Sequence, residues 1–353
     1  MIKYAFLIVF MLLLTVLLLG YEPAATSKSS QALQTVSGEP VDKKTGLVFP
    51  QDHGPHPEQG IEWWYITANL TADTGETFGV QWTLFRTQLP LPFASAWWDN
   101  QLYFAHFALQ QQQTHIAFER FARRGQAAIS AGPFSAQLDD WSLKSTQQDF
   151  LPLQLQAEQD GYAIDLSLGN SPLTLHGENG YSQKTASGHA SYYFSYPFLE
   201  TSGTVTFNGK QYKVSGNAWY DREWSASLLD KSQLGWDWFS LVSEQHPKQG
   251  LMLFCIRDAK QHYDYCSGTR IAANGEATQI SRQEINVIVL DHITIDGTEY
   301  PSQWKIELAD ATPILIETIT KDSLNRLSTQ YWEGRVKATN GFNGTGYAEL
   351  AGY

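Results

Sequence analysis

A nine-residue stretch of the sequence, GNAWYDREW at positions 216–224, places an acid among aromatic side chains. Within it, Asp221 has Trp219 and Tyr220 on one side and Trp224 on the other. An acid surrounded by rings loses hydration, which raises its pKa and keeps it protonated closer to neutral pH. The faces of Trp and Tyr rings also stabilise positive charge. These residue types predict that Asp221 is a catalytic general acid in an apolar site.

The same stretch also has a purely structural interpretation. If Arg222 pairs with Asp221, the carboxylate is ionised and cannot act as an acid at neutral pH. Asp221, Arg222 and Glu223 would then form an ion-paired corner where a strand enters a loop, with Trp219 and Trp224 in the core. The sequence leaves these two interpretations open.

Several further side chains are candidates for lining a ligand cavity. They are Tyr192, Tyr193, Trp219, Trp238, Trp64 and His106. His106 lies in the apolar run FAHFA at 104–108, which is typical of a strand. It could face a cavity, or it could be a core histidine whose nitrogens are hydrogen-bonded.

Three other acids are predicted to be structural. They are Glu62, Glu223 and Asp237. Glu62 and Asp237 each lie beside tryptophans in a predicted hairpin, where a buried acid usually accepts hydrogen bonds from backbone or arginine. Arg86 and Arg257 are the expected partners.

The sequence lacks the residues and motifs that several classes of chemistry require. His53 and His56 form the only close histidine pair, and no cysteine or third histidine lies near enough in the sequence to complete a zinc site. The sequence contains no Gly-x-Ser-x-Gly elbow and no glycine-rich phosphate loop. The net charge of −12 argues against a nucleic-acid partner. We therefore expect no metal, no cofactor and no nucleic acid.

The elements that must position these residues are predicted to be β-strands. After Gln34, short alternating or aromatic-rich runs recur between Gly, Asn, Asp and Pro, which is typical of an all-β sandwich or barrel. A chain of 353 residues favours two domains, and the boundary is predicted near Ser195–Thr201. Two similar hairpins, opening at EWWYI (62–66) and WDWFS (236–240), suggest that the halves repeat one unit.

The two cysteines lie in strand-like runs on either side of a polar turn at 258–262. If Lys260 and Gln261 form the tip, Cys255 and Cys266 lie directly opposite each other. Opposed residues on antiparallel strands are about 4.5–5.5 Å apart, which is within disulfide range. We expect a cross-strand disulfide, which a one-residue change of register would prevent.

The N-terminus has the pattern of an export signal. Lys3 is followed by an apolar run at 4–19 that only Thr15 interrupts. Residues 18–23 resemble a bacterial lipoprotein signal in which Tyr21 occupies the position of the lipidated cysteine, so no diacylglyceryl anchor can form. We expect a signal peptide or membrane anchor at 1–21, a linker at 22–48, and a periplasmic or membrane-associated location.

Five segments together resemble the AttH-like and carotenoid 1,2-hydratase (CrtC-like) proteins, a group described as predicted secreted hydrolases. They are HPE with EWWY (56–65), GYSQK with ASYY (180–193), GNAWYDREW (216–224), GWDWF (235–239), and YWEG with GYAEL (331–350). The resemblance runs from about Phe49 to Tyr353. It implies two tandem lipocalin-like antiparallel β-barrel domains, at 49–198 and 199–353.

The resemblance specifies the fold better than the reaction. Carotenoid hydratases add water across a terminal C=C bond, and Asp221 falls at the acidic position that this branch is thought to use, whereas most AttH-like members have no settled reaction. We expect an exported protein that binds a lipid or isoprenoid-like ligand in an aromatic-lined cavity. The alternatives are a hydratase or hydrolase with Asp221 as acid, and an accessory protein of a membrane export system.

Overall fold

The computed structural model describes residues 38–89, 95, 98–245, 248–309 and 311–353. In these ranges the chain is almost entirely β-strand, with two short 3-10 turns at Gln51–His53 and Arg282–Glu284. The all-β prediction is confirmed. The predicted signal or anchor at 1–21, with Tyr21, and the first part of the linker lie outside the described residues. Across the described ranges, no helix has the length and apolar character needed to cross a membrane.

Thirteen strands form the first sheet, which curls into a nearly closed barrel. They are β1 (Ile61–Ala72), β2 (Thr77–Gln88), β3 (Gln101–Gln111), β4 (Thr114–Arg123), β5 (Ala127–Ala131), β6 (Phe134–Leu138), β7 (Trp141–Ser145), β8 (Leu153–Gln159), β9 (Tyr162–Leu168), β10 (Thr174–Leu175), β11 (Tyr181–Gln183), β12 (Ala190–Phe207) and β13 (Lys210–Ser225). The order is β4-β3-β2-β1-β13-β12-β9-β8-β7-β6-β5, with β10 and β11 paired to β12.

Ten strands form the second sheet, a half-barrel. They are β14 (Gln233–Ser243), β15 (Gly250–Asp258), β16 (Tyr263–Ile271), β17 (Ala277–Ile280), β18 (Ile285–Ile295), β19 (Thr298–Leu308), β20 (Ile314–Thr318), β21 (Leu324–Asn325), β22 (Tyr331–Asn340) and β23 (Gly344–Ala351). The order is β17-β16-β15-β14-β23-β22-β20-β19-β18, with β21 paired to β22.

The change from one sheet to the other lies between β13 and β14. The boundary predicted between residues 198 and 199 falls inside β12, an 18-residue strand that belongs wholly to the first sheet. Tyr196-Pro197, which suggested a break, instead marks a β-bulge in the pairing of β12 with β13. Because proline cannot donate to the ladder, a bulge is one of the few places a strand tolerates it.

The interior of the first barrel is filled with side chains. The two-residue alternation of a strand sends Trp64 and Ile66 of β1, and Tyr220 and Trp224 of β13, into one apolar core. The alternate residues of these strands point to the other face and pack against β14 and β15 of the second sheet, in a separate cluster that includes Tyr65, Trp219 and Trp238. Both faces of β13 are therefore buried from Ala218 to Ser225.

A buried ion cluster packs against this core. Glu62 accepts hydrogen bonds from Arg86 and from Arg222, and all three side chains are fully buried. The backbone N–H of His56 adds a third donor at 3.0 Å. Burial opposes ionisation of Glu62, but Arg222, His56 and Arg86 together hold its pKa below the usual value. The predicted partner Arg86 is thus joined by Arg222.

The equivalent acid of the second sheet also pairs as expected. Asp237 lies 3.3 Å from Nε of Arg257, and its two oxygens accept hydrogen bonds from the hydroxyls of Tyr263 and Tyr353. In the next hairpin, Cys255 and Cys266 are cross-strand partners with Cα atoms 4.1 Å apart, and they form a disulfide.

Removing the carboxylate of the buried ion cluster should destabilise the protein strongly. In Glu62→Gln, Arg86 and Arg222 are left in the core without a counter-charge, so the free energy of unfolding should fall by about 3–5 kcal/mol. The matched control is Glu178→Gln, which breaks the exposed pair with Lys43 and should change it by less than about 1 kcal/mol. Chemical denaturation of both variants measures the difference, and equal losses would contradict the role given to Glu62.

Candidate functional site

The alternation of β13 separates Asp221 from Arg222. Arg222 points into the first barrel, where its guanidinium binds Glu62 and lies 4.0 Å from the ring centroid of Trp64. Asp221 points to the opposite face, toward the second sheet. Among the described residues no cation forms an ion pair with Asp221. Of the two interpretations left open by the sequence, the pairing of Arg222 with Asp221 is not found, because neighbours on a strand face opposite sides.

Asp221 is held instead by neutral donors. The hydroxyl of Ser195, its cross-strand partner on β12, donates to Oδ1. The Trp219 indole donates to the same oxygen at 2.7 Å, and the Tyr193 hydroxyl donates to Oδ2 at 3.1 Å. Nε2 of His176 lies 2.6 Å from the Ser195 hydroxyl oxygen, which fixes that hydroxyl in place.

These surroundings set the protonation state of the acid. Asp221 is 3% exposed, and burial raises the pKa of its carboxyl to about 7, against the opposing effect of the hydrogen bonds from Ser195, Trp219 and Tyr193. The negative charge of Glu223 is a smaller contribution to the same raised pKa. Near neutral pH a substantial fraction of Asp221 therefore carries a proton that it can donate.

Asp221 lines a cavity of about 160 Å³ between the two sheets. The first sheet contributes residues of β1, β2, β3, β12 and β13, and the second contributes residues of β14, β15, β22 and β23. The principal rings are Trp63, Tyr65, Phe85, Phe104, Tyr193, Trp236, Trp238, Phe254 and Tyr331. Leu234 also lines it and is 40% exposed, so the cavity reaches solvent beside this residue. The ligand cavity thus lies between the two sheets, whereas the interior of the first barrel is filled.

Three of the predicted lining residues reach this cavity and three do not. Tyr193, Trp238 and His106 line it. Trp64 and Tyr192 face the core of the first barrel instead, because their positions in the strand alternation match those of Arg222 and Trp224. Trp219 lies on the cavity side but packs behind Asp221, to which it donates its hydrogen bond.

Glu223 lies in the cavity wall as one half of an ion pair. Its carboxylate is 2.8 Å from Nζ of Lys184 and accepts a hydrogen bond of 2.5 Å from Ser191. The Lys184 ammonium also lies 4.0 Å from the ring centroid of Phe254. Glu223 is thus a fixed charge beside Asp221, in keeping with the structural role predicted for it.

A pair of acids on the second sheet was missed by the sequence analysis. Glu333 of β22 and Glu349 of β23 are direct cross-strand partners. Glu333 is buried and Glu349 is partly buried, and within the part of the chain that the structure describes neither forms an ion pair with a cation. The Tyr65 hydroxyl donates to Glu333, and the Trp236 indole donates to Glu349 at 3.1 Å. Burial, together with the mutual repulsion of the pair, raises the pKa of Glu333, and burial raises that of Glu349. Only Glu349 reaches the cavity.

His106 and Tyr331, the latter also missed, stand at another part of the cavity wall. Nδ1 of His106 is 2.7 Å from the hydroxyl of Tyr331, and Nε2 is 3.0 Å from a carboxylate oxygen of Glu119. Burial lowers the pKa of His106, although Glu119 opposes this effect. Both histidine nitrogens are therefore hydrogen-bonded, as the core alternative requires, and the ring also lines the cavity.

The described residues contain no cluster of three or more His, Cys, Asp or Glu side chains that could hold a metal ion. Of the single histidine pair found in the sequence, His53 is buried against the ring of Phe150, with centroids 3.7 Å apart. His56 stacks on Trp224 and contacts Glu62 and Asp52. The site combines an acid of raised pKa, Asp221, with an apolar cavity lined by aromatic rings, an arrangement suited to proton transfer.

The family model described as AttH-like matches residues 40–353. A crystal structure from Nitrosomonas europaea assigned as an AttH is 32% identical, with a TM-score of 0.80, and the match covers 89% of this chain and 99% of that one. Kievitone hydratase from Nectria haematococca is 16% identical, with a TM-score of 0.67 and coverage of 90% and 96%. CghA, solved with Sch210972, is 11% identical, with a TM-score of 0.55 and coverage of 90% and 94%. The last two show a shared fold only. Among curated proteins none matches the sequence significantly.

The raised pKa of Asp221 predicts a specific pH dependence of stability. The carboxyl titrates near pH 3.8 when unfolded and near pH 7 when folded, so between these values the folded state binds more protons. Stability due to this group is therefore fully present below about pH 4 and is lost as the pH rises toward 7. Asp221→Asn is neutral throughout, so it should match the wild type at pH 4 and exceed it by a few kcal/mol at pH 8.

Denaturation curves from pH 4 to 8 test this, with Asp139→Asn as the control. Asp139 is an exposed turn residue at φ 52°, a conformation that asparagine also adopts, so this variant makes the same side-chain change at a position outside the cavity. A difference between Asp221→Asn and the wild type that does not grow with pH would contradict a buried, protonated Asp221.

Proposed function

The chain belongs to the AttH-like family, and we propose that it catalyses the addition of water to an isolated C=C bond of an apolar, isoprenoid-like substrate, or the reverse elimination, with Asp221 as the acid. One observation carries this proposal. Asp221 is a buried carboxyl that lines a ring-walled cavity, and among the residues that the structure describes its hydrogen-bond donors are all neutral and no cation pairs with it. The structural acids Glu62 and Asp237, in contrast, each pair with an arginine.

The proposed reaction proceeds in two steps. The Asp221 carboxyl transfers its proton to the less substituted carbon of the double bond, leaving a carboxylate and a tertiary carbocation. Water then forms a C–O bond to the cation and releases a proton, which restores the Asp221 carboxyl. Together the two steps add H and OH across the double bond. Trp238 and Tyr193 present rings to the cavity, and ring faces stabilise a cation.

The size of the cavity limits the substrate. An apolar cavity of about 150 Å³ holds one benzene molecule, and this cavity measures about 160 Å³. It suits a short isoprenoid, or one end of a longer molecule that leaves the cavity beside Leu234. An entire carotenoid chain would not be enclosed.

Binding without chemistry is the second candidate function, and the apolar lining of the cavity favours it. Both candidates include an exported location. The apolar run at residues 4–19 supports export. The Cys255–Cys266 disulfide supports it as well, because disulfides persist mainly in oxidising compartments.

Citronellol, an acyclic alcohol with one trisubstituted double bond, is a suitable probe. In water enriched in oxygen-18, the wild type should convert it to the tertiary alcohol with the label at the new hydroxyl, as followed by mass spectrometry. Asp221→Asn should slow this by at least about 100-fold while still binding citronellol, because the general acid is lost and the cavity is kept. If the wild type binds citronellol but incorporates no label, the protein is a binder and the hydratase proposal is wrong.

A further inference from the structure

We propose that His176, acting through Ser195, is a positioning residue that keeps a proton on Asp221. This role goes beyond the proposed function, because it maintains the acid whether or not the protein hydrates a substrate. It follows from the number of protons in one chain of hydrogen bonds that leads from Asp221 to the surface. The members of this chain, in order, are Asp221, Ser195, His176, Thr269 and Gln279.

The chain crosses from the first sheet to the second. Ser195 bonds to Asp221 and lies 2.6 Å from Nε2 of His176, which directly follows β10. Nδ1 of His176 is 2.9 Å from the hydroxyl of Thr269 on β16. That hydroxyl is 3.2 Å from Oε1 of Gln279 on β17. The Ser195, His176 and Thr269 side chains are fully buried, whereas Gln279 is exposed.

The exposed end of the chain is fixed as an acceptor. The backbone N–H of Gly177 donates to Oε1 of Gln279 at 3.0 Å, and the amide nitrogen of Gln279 donates to the carbonyl of Leu175 at 3.4 Å. A backbone N–H can only donate, so the side-chain atom that it meets must be the amide oxygen. The Thr269 hydroxyl contacts the same oxygen and must therefore donate to it.

The interior of the chain is one proton short. Ser195, neutral His176 and Thr269 each supply one proton, whereas the chain has four contacts that each need one. If Asp221 is a carboxylate, both ends of the chain are acceptors, and one contact is left with two lone pairs facing each other. A fourth proton, on Asp221 or on His176, fills every contact.

The surroundings place this fourth proton on Asp221. Burial and the charge of Lys184 lower the pKa of His176 to about 3, so its ring is neutral. Burial raises the pKa of Asp221 to about 7. In the protonated form every bond of the chain then points away from the acid, and the His176 ring carries its proton on Nδ1. Ionisation of Asp221 reverses the first bond, so that Ser195 donates to Oδ1.

The other titratable groups that face the chain leave this count unchanged. They are Lys184, Glu223, Glu349, Tyr65 and Tyr193. Tyr193 accepts a hydrogen bond from the Trp238 indole and gives its own proton to Oδ2 of Asp221. Lys184 is paired with Glu223 at 2.8 Å. In the described part of the protein, the side chains of Ser195, His176 and Thr269 bond only along the chain.

Carbon-13 NMR of the Asp221 carboxyl in Thr269→Val tests the count without any ligand. Valine keeps the shape of threonine but removes the hydroxyl, so only the contacts of Ser195 with its two neighbours remain. The protons of Ser195 and neutral His176 fill both contacts while Asp221 is ionised. The pKa of Asp221 should therefore fall by about 1 to 2, the effect of one hydrogen bond to a charged group. An unchanged pKa in the folded variant would overturn the proposal.

Gln279→Ala repeats the test at an exposed position, where folding is not at risk. Without the amide oxygen, the Thr269 proton is free to bond to Nδ1, so the pKa of Asp221 should again fall, although three side chains separate the two residues. The matched control is Gln113→Ala. Gln113 is also exposed, and its amide bonds to the backbone of Ile319 and Lys321, outside the chain. Equal shifts in the two variants, or no shift in Gln279→Ala, would contradict the proposal.

The tautomer of His176 gives an independent readout. At pH 5, where Asp221 is protonated, proton–nitrogen correlation spectra of the wild type should show the ring proton on Nδ1 and none on Nε2. A proton on Nε2 under these conditions would overturn the proposal. None of these measurements involves turnover, so the role of His176 and the hydration of citronellol can each fail while the other holds.

Discussion

The two-residue alternation of strand β13 is the constraint on which the rest of this structure depends. Because consecutive side chains face opposite sides, Arg222 enters the first barrel while Asp221 faces the second sheet. Arg222 therefore pairs with Glu62 inside the first barrel. Asp221, its neighbour in the sequence, is left with neutral hydrogen-bond partners. A one-residue slip of the register would exchange the two faces and remove both sites at once.

Packing of the second sheet against this face buries Asp221 and so determines its protonation state. An acid on the outer face of a single barrel would meet solvent and ionise normally. Here β14 and β15 cover that face, and Trp238 and Phe254 pack over it. The same contact brings Tyr331 to His106 and Glu349 to the cavity, so polar groups from both sheets converge on one apolar space. The site exists only in the assembled pair of sheets.

The sequence was sufficient for the fold class, the family and the pairing of Glu62 and Asp237 with arginines. It could not decide which face of β13 holds Asp221, because a strand covered on both sides has no polar and apolar alternation to read. For the same reason Trp64 and Tyr192 were assigned to a cavity that they do not reach. Tyr331 and Glu349 were missed because their roles depend on which strands of one sheet face the other. An acid in the apolar run GYAEL was the one local signal for Glu349.

The central claim is that Asp221 holds a proton in the folded protein near neutral pH. Carbon-13 NMR of the Asp221 carboxyl, assigned by its loss in Asp221→Asn, measures this directly without any ligand. The account predicts a resonance that stays in the protonated position through pH 5 and titrates near pH 7. A carboxyl that is already ionised at pH 5 would contradict the account, because Asp221 would then hold no proton with which to start the proposed reaction.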